Sequence, residues 1–288
     1  PPFFDHTIRL AYSQMEHCRG VDEIQHPGFR EVMRFQGITS GIEAHYDADL
    51  PARSGVGSSS AFAVGLLHAL HTLKGQTVSC ADLARQATYV EREILGETVG
   101  SQDQVAVAHG GFNHIRFQAD DNIVVQPLML SADFSRALNE SLMLYFTGTV
   151  RVASEIARTY SDNFVEKERN MRALCQLVDA ALSSLEHHRL EELGALLHEG
   201  WSLKRSLGPS VSTTTIDEIY DAALSAGALG GKVLGAGGGG FILLFVPPEH
   251  QLTVRERLKS LLLVPFQFER SGSRIIYSGG DAPVPAYT

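Results

Sequence analysis

The residues best suited to do chemistry together are a Gly-Ser loop and a few carboxylates downstream of it. Leu50-Pro51-Ala52-Arg53-Ser54-Gly55-Val56-Gly57-Ser58-Ser59-Ser60-Ala61-Phe62 opens directly into an apolar, helix-forming run through Ala63, Val64, Leu66, Leu67, Ala69 and Leu70. Gly55 and Gly57 allow backbone N–H groups to approach a ligand with no Cβ in the way. The start of the helix adds free N–H groups and the positive end of a dipole, both suited to an anion such as phosphate. Ser58, Ser59 and Ser60 carry hydroxyls that can cap the helix, bind a phosphate oxygen or reach a metal. The plainer alternative is a Ser-capped helix after a flexible loop.

Glu91 and Glu93 fall near the C-terminal end of a helix predicted over residues 81 to 95, with Leu83, Ala87, Val90 and Ile94 on one face. A helix C-terminus disfavours carboxylates, so this is either a solvated Glu-Arg-Glu face or a functional placement. Asp103 opens another apolar helix, either as a dipole-stabilised N-terminal carboxylate or as a group set to receive a proton. The loop can hold phosphates, Glu93 and a serine hydroxyl offer hard oxygens that suit Mg²⁺, and Asp103 can accept a proton from an attacking hydroxyl. Phosphoryl transfer needs little else, since its catalysis is positioning and charge neutralisation. The loop lacks the Gly-Lys-Ser/Thr ending of a Walker A sequence, no dinucleotide fingerprint is present, and the protein-kinase signatures are absent.

These groups need elements to hold them. Ile8, Leu10 and Tyr12 alternate as in a strand, and Pro27 introduces an amphipathic helix that runs to Phe35. A strand over Gly41–Ala48 leads into the loop, and the loop's helix runs to Lys74, with Gly75 ending it. Strands are predicted at Asn113–Phe117, Ile123–Pro127 and Leu142–Phe146, and Arg151 to Glu199 is patterned almost entirely as helix. A further helix covers Ile216–Ala226. Gly230 to Phe245 then reads as a hairpin whose Gly237–Gly240 run exceeds the needs of a two-residue turn and suggests close backbone packing. A helix over 250–262 and strands at Phe266–Arg270 and Arg274–Tyr277 close the chain. Both halves read as α+β, divided here as residues 1–136 and 137–288.

A length of 288 residues suffices for two modest domains, and a net charge of −9 argues against nucleic acid or an anionic membrane as the main partner. Cys18, Cys80 and Cys175 lack metal-type spacing and fit reduced thiols in a cytoplasmic protein. Pro1-Pro2-Phe3-Phe4 is an abrupt start, and residues before Pro1 are expected to be missing. Assembly as a homodimer is left open.

The motifs together resemble the GHMP kinase superfamily, whose middle motif has the form Pro-x-x-x-Gly-Leu-Gly-Ser-Ser-Ala. Pro51 through Ser60 follow it, with Val56 for Leu and Ser60 for Ala. Leu234-Gly235-Ala236-Gly237-Gly238-Gly239-Gly240 is similar to the superfamily's C-terminal motif, and Gly100-Ser101-Gln102-Asp103-Gln104 to its Gly-x-x-Asp-Gln segment. The resemblance implies two α+β domains, ribosomal-protein-like and then ferredoxin-like with added helices. It implies ATP binding by Pro51, Ser54, Gly55, Val56, Gly57, Ser58, Ser59 and Ser60, and Asp103 as catalytic base. Ser59 and Glu93 take the magnesium-ligand positions, with Glu91 the alternative to Glu93.

Within the superfamily, the branch acting on D-glycero-D-manno-heptose 7-phosphate is similar over nearly the whole chain, including Asp5–Leu10, Val21–Pro27, Phe146–Ile156 and Trp201–Leu207. That branch implies phosphorylation of the anomeric hydroxyl, on the route to nucleotide-activated heptose. An unphosphorylated galactose- or fucose-type acceptor is the alternative. Members begin with a strand and a Gly-Gly-Gly-Thr-Asp turn before a Pro-x-Phe-like segment, and here that turn is absent before Pro1. A phosphorylated sugar needs a cationic anchor, for which Arg151 and Lys204 are the candidates, with Gly237, Gly238 and Gly239 on the substrate side.

Overall fold

The computed structural model describes residues 5–51, 54–149 and 164–279. They form two compact units that follow space more than sequence. One comprises residues up to Ala52, Gly57–Asn113 and the stretch from Glu269 onward; the other comprises Arg53–Val56 and His114–Phe268. Pro1–Phe4 and Arg151 lie outside the described residues.

In the first unit, β1 (Ile8–Ala11) lies between β2 (Met15–Cys18) and β3 (Glu43–His45), antiparallel to the former and parallel to the latter. β2 has no counterpart in the sequence reading; its Met15 is exposed, so its alternation is weak. The helices are α1 (Pro27–Phe35), α2 (Ser58–Leu73), α3 (Cys80–Tyr89) and α4 (Gln102–His109). Pro27 and Gly75 act as start and stop as expected. Helix α3 ends six residues short of the predicted 95, because Val90–Ile94 form a π-helical turn.

The second unit has the pair β4 (Asn113–Phe117) and β5 (Ile123–Pro127), then α5 (Ala132–Glu140) and β6 (Leu142–Phe146). Among the described residues the long helical pattern holds two helices, α6 (Phe164–Glu186) and α7 (Leu190–Arg205), parted by a turn where His188 has φ +56°. Next come α8 (Thr214–Ser225), β7 (Gly230–Val233), β8 (Phe241–Phe245), α9 (Gln251–Arg257) and β9 (Leu262–Val264). The sheet order is β7-β8-β6-β9, antiparallel throughout. Side chains alternate between its faces. Met143, Tyr145, Ile242 and Leu244 pack with Ile216, Tyr220, Ala223 and Val254 of α8 and α9. Leu142 and Phe245 pack with Phe134, Leu138, Leu185 and Leu193 of α5, α6 and α7.

The end of the chain departs from the sequence reading. The last helix stops at Arg257, the last strand is Leu262–Val264, and neither 266–270 nor 274–277 is a strand. β9 pairs with β6 only as far as Val264, and Pro265 has no N–H with which to continue the ladder.

His26 N-caps α1, its Nδ1 accepting from Phe29 N at 3.2 Å, and its ring packs edge-on to Tyr12 and Phe29 and beside Phe62. Burial pushes the imidazole below its ordinary value of 6.5, with Glu16 opposing. A depressed folded-state pKa favours the neutral ring, so its contribution is present above pH 6.5 and is lost as pH falls through the lowered value. Protonation also removes the capping lone pair. The melting temperature followed by circular dichroism is expected to fall less between pH 7.5 and 5.5 in His26→Asn, which caps without titrating, than in the parent. Equal slopes would exclude His26 as a source of the acid sensitivity.

Candidate functional site

The Gly-Ser loop belongs to both units, changing from one to the other between Val56 and Gly57. Each half has its own surroundings.

In the first unit, Gly57 is the N-cap of α2, with φ +74°, and no side chain caps the helix. The first intrahelical bond runs from Ala61 N to Gly57 O at 2.8 Å, so the amides of Ser58, Ser59 and Ser60 point off the helix end. The serine hydroxyls are not caps. Ser59 Oγ donates to Glu91 Oε1, and Ser60 Oγ donates to Glu91 Oε2 at 3.0 Å. Gln104 Nε2 donates to the same Oε2. Glu91 is 2% exposed and Gln104 1%.

Glu93 was expected beside Ser59; it is exposed, with no hydrogen bond or ion pair among the described residues. The carboxylate that meets Ser59 is Glu91, which continues the buried face of Leu83, Ala84, Ala87 and Val90 at ordinary helical spacing. Leu95 N bonds Val90 O at 2.9 Å, one residue further than an α-helix would reach. Beyond Glu91 the wider turn shifts the register, and Ile94, expected on the buried face, is 36% exposed. Sequence reasoning missed Gln104 as a partner of Glu91. Its place beside Asp103 carried no signal by itself, because its partner lies 13 positions away.

Asp103 lies in the first turn of α4. A Cβ built on Gly57 would come 3.5 Å from Asp103 Cγ and 3.6 Å from Oδ2, so the Asp103 carboxyl borders the turn at the start of α2. One stretch of loop and helix start therefore has a buried carboxylate at its serines and a partly exposed one at its glycine.

In the second unit, Ser54, Gly55 and Val56 meet the β7–β8 turn. Ser54 is 1% exposed. Gly55 has φ +81°, and a Cβ there would come 2.9 Å from Leu234 O. Gly235 has φ +64°, and its Cβ would come 2.8 Å from Gly55 Cα. The two backbones cross at a separation that only glycine permits. Gly237, Gly238, Gly239 and Gly240 are buried, with Gly238 N bonded to Val211 O at 2.8 Å and Gly240 N to Thr149 O at 2.7 Å. Lys204 Nζ donates to Gly235 O at 2.5 Å. Pro51 is exposed.

Two family models match the chain: GHMP kinases N terminal domain over residues 26–111 and GHMP kinases C terminal over 181–262. A Campylobacter jejuni D-glycero-alpha-D-manno-heptose 7-phosphate kinase is 30% identical over 84% of this chain and 73% of its own length. The chain belongs to the GHMP kinase family. Among its relatives, the bifunctional fucokinase/GDP-fucose pyrophosphorylase of Arabidopsis thaliana is 26% identical over 77% of this chain, which spans 21% of that longer protein. The crystal structure of a D-glycero-D-manno-heptose 1-phosphate kinase from Bacteroides thetaiotaomicron superposes with a TM-score of 0.75 at 26% identity, covering 96% of this chain and 86% of that one.

As a GHMP kinase the chain is an ATP-dependent phosphotransferase. Among the described residues no three or more His, Cys, Asp or Glu side chains gather as a metal cluster, and no helix is long and apolar enough to cross a membrane. The oxygens of Ser59 and Glu91 nevertheless fit the cation that such kinases use with ATP. Mg²⁺ takes one or two carboxylate or hydroxyl oxygens and completes its shell with nucleotide phosphates and water.

The Gly55–Gly235 crossing predicts a graded cost. Gly235→Ala combines left-handed strain with a backbone clash and is expected to destabilise the second unit by about 1–3 kcal/mol more than Gly148→Ala. Gly148 has φ +82° and nothing within 4 Å of its Cβ position. Guanidinium unfolding followed by the fluorescence of Trp201, the sole tryptophan, reads the difference. Equal midpoints would mean that the crossing relaxes freely.

Proposed function

We propose that the chain transfers the γ-phosphoryl group of ATP to the anomeric hydroxyl of D-glycero-D-manno-heptose 7-phosphate. The product is the 1,7-bisphosphate, which leads towards nucleotide-activated heptose. The observation that carries this reading is the 30% identity to the Campylobacter heptose 7-phosphate kinase over most of both chains. The site's geometry is consistent with it. The amides that open α2 offer donors to phosphate oxygens, and the helix dipole favours the negative charge. Asp103 takes the proton of the acceptor hydroxyl as that oxygen attacks the γ-phosphorus, and ADP leaves. Ser59 and Glu91, rather than Ser59 and Glu93, hold Mg²⁺, which neutralises charge on the phosphates when bound. Lys204 and Arg151 serve as cationic partners on the acceptor side, with Gly237, Gly238 and Gly239 shaping that wall. The two-domain division at 136/137 and a cytoplasmic location belong to the same proposal.

The fucokinase relative favours a second reading, in which the acceptor is an unphosphorylated sugar of the galactose or fucose type. A coupled ADP-release assay over heptose 7-phosphate, mannose 6-phosphate, galactose and fucose separates the two. The first reading requires the highest kcat/KM on heptose 7-phosphate, and a preference for a free sugar would replace it with the second. Asp103→Asn is expected to lower kcat by about 10²–10⁴-fold while leaving ATP binding intact. Turnover near that of the parent would remove Asp103 from the mechanism. Lys204→Ala should raise KM for the phosphosugar far more than KM for ATP; an equal rise in both would reassign Lys204 to holding the Gly235 turn.

A further inference from the structure

Glu91 is held from both sides of its carboxylate, and the two sides differ. Oε1 accepts from Ser59 alone, whereas Oε2 accepts from Ser60 Oγ at 3.0 Å and from Gln104 Nε2. Ser60 and Gln104 are 4% and 1% exposed, so neither bond is exchanged readily with water. The orientation of the Gln104 amide is fixed by its partner. A carboxylate only accepts, so Nε2 must face it, and the reverse orientation would set two acceptors against each other. The cost of this arrangement is visible in the structure: Gln104 Oε1 is buried with no partner among the described residues. A buried acceptor left without a donor is unfavourable, so the bond to Glu91 outweighs the loss. Ser60 points the same way. The family pattern carries Ala at its position, and this chain instead has a hydroxyl whose one hydrogen bond goes to Glu91 Oε2.

We infer that Ser60 and Gln104 are positioning residues that clamp Glu91 Oε2, so that Oε1 and Ser59 Oγ are presented together as a preset two-oxygen edge for the divalent cation of the nucleotide. With one carboxylate oxygen pinned by two donors, the carboxylate cannot rotate about its terminal bond. The oxygen left over faces Ser59. Ordering a metal ligand in advance in this way is the usual work of the groups behind it, and their loss costs about 10–100-fold in metal affinity. This inference rests on the proposed role of Glu91, and the test keeps the two apart.

Mn²⁺ replaces Mg²⁺ as the probe, and free Mn²⁺ is counted by electron paramagnetic resonance in the presence of a non-hydrolysable ATP analogue. Ser60→Ala and Gln104→Met are each expected to weaken Mn²⁺ binding by about tenfold or more. Binding of the analogue in EDTA should be unchanged, which a merely structural role for either residue would not preserve. Mn²⁺ affinity like that of the parent in both variants, or an equal loss of metal-free nucleotide binding, overturns the clamp. Ser60→Ala removes one oxygen and installs the family residue, so it carries the test alone if Gln104→Met does not fold. Glu91→Gln is the reference. If it loses Mn²⁺ while the other two do not, the metal role of Glu91 stands and the clamp falls. If it binds Mn²⁺ like the parent, both fall.

Discussion

A buried carboxylate is the constraint from which the site in the first unit follows. Glu91 is 2% exposed and has no cation beside it among the described residues; three hydrogen-bond donors take the place of a counter-ion. Taking an ion out of water costs several kcal/mol, and bonds from neutral donors to a charged acceptor return roughly 1.5–3 kcal/mol each. Three of them offset much of that cost. This explains why the start of α2 spends its serine hydroxyls on a distant carboxylate and leaves its capping to Gly57 in a left-handed turn.

In the second unit the glycine turn depends on backbone rather than side chains. Gly55 and Gly235 approach so closely that neither tolerates a Cβ, and the peptide groups of Gly238 and Gly240 find acceptors at Val211 and Thr149. A glycine run loses much conformational entropy on folding, so it needs compensating bonds at several points. It obtains them from loops lying far away in sequence, and Lys204 adds a charged donor to the carbonyl of Gly235. The glycines are thus not slack in the chain. They form a fixed surface made of amides and carbonyls.

Legibility in the sequence followed the range of the interaction responsible. The loop opening into α2, the placement of Asp103 in a first turn, and the β7–β8 hairpin are local, and motif and spacing revealed them. The choice between Glu91 and Glu93 was legible in the period, since Glu91 stands four residues after Ala87 on the face of Leu83 and Val90 while Glu93 falls opposite; the period could not show the π-helical turn that exposes Ile94. Gln104 escaped notice because a Gln behind an Asp carries no signal until its partner, 13 positions away, is known. The strands proposed at 266–270 and 274–277 failed for a related reason. A strand requires a neighbour, and among the described residues the β6–β9 ladder ends at Val264, before Pro265.

The two carboxylates near the loop differ in a way that suits different work. Glu91 is surrounded by donors that hold its orientation, so it is fixed in place. Asp103 is partly exposed at the edge of a glycine turn, where the start of α4 stabilises its charge without enclosing it. A group that holds a cation gains from being immobile, because each ligand ordered in advance lowers the entropy lost on binding. A group that receives a proton must be reached by the acceptor and must release the proton afterwards, so enclosure would hinder it. Burial therefore separates the two proposed roles even though both residues are acids near one loop, and exchanging their environments would be expected to defeat both.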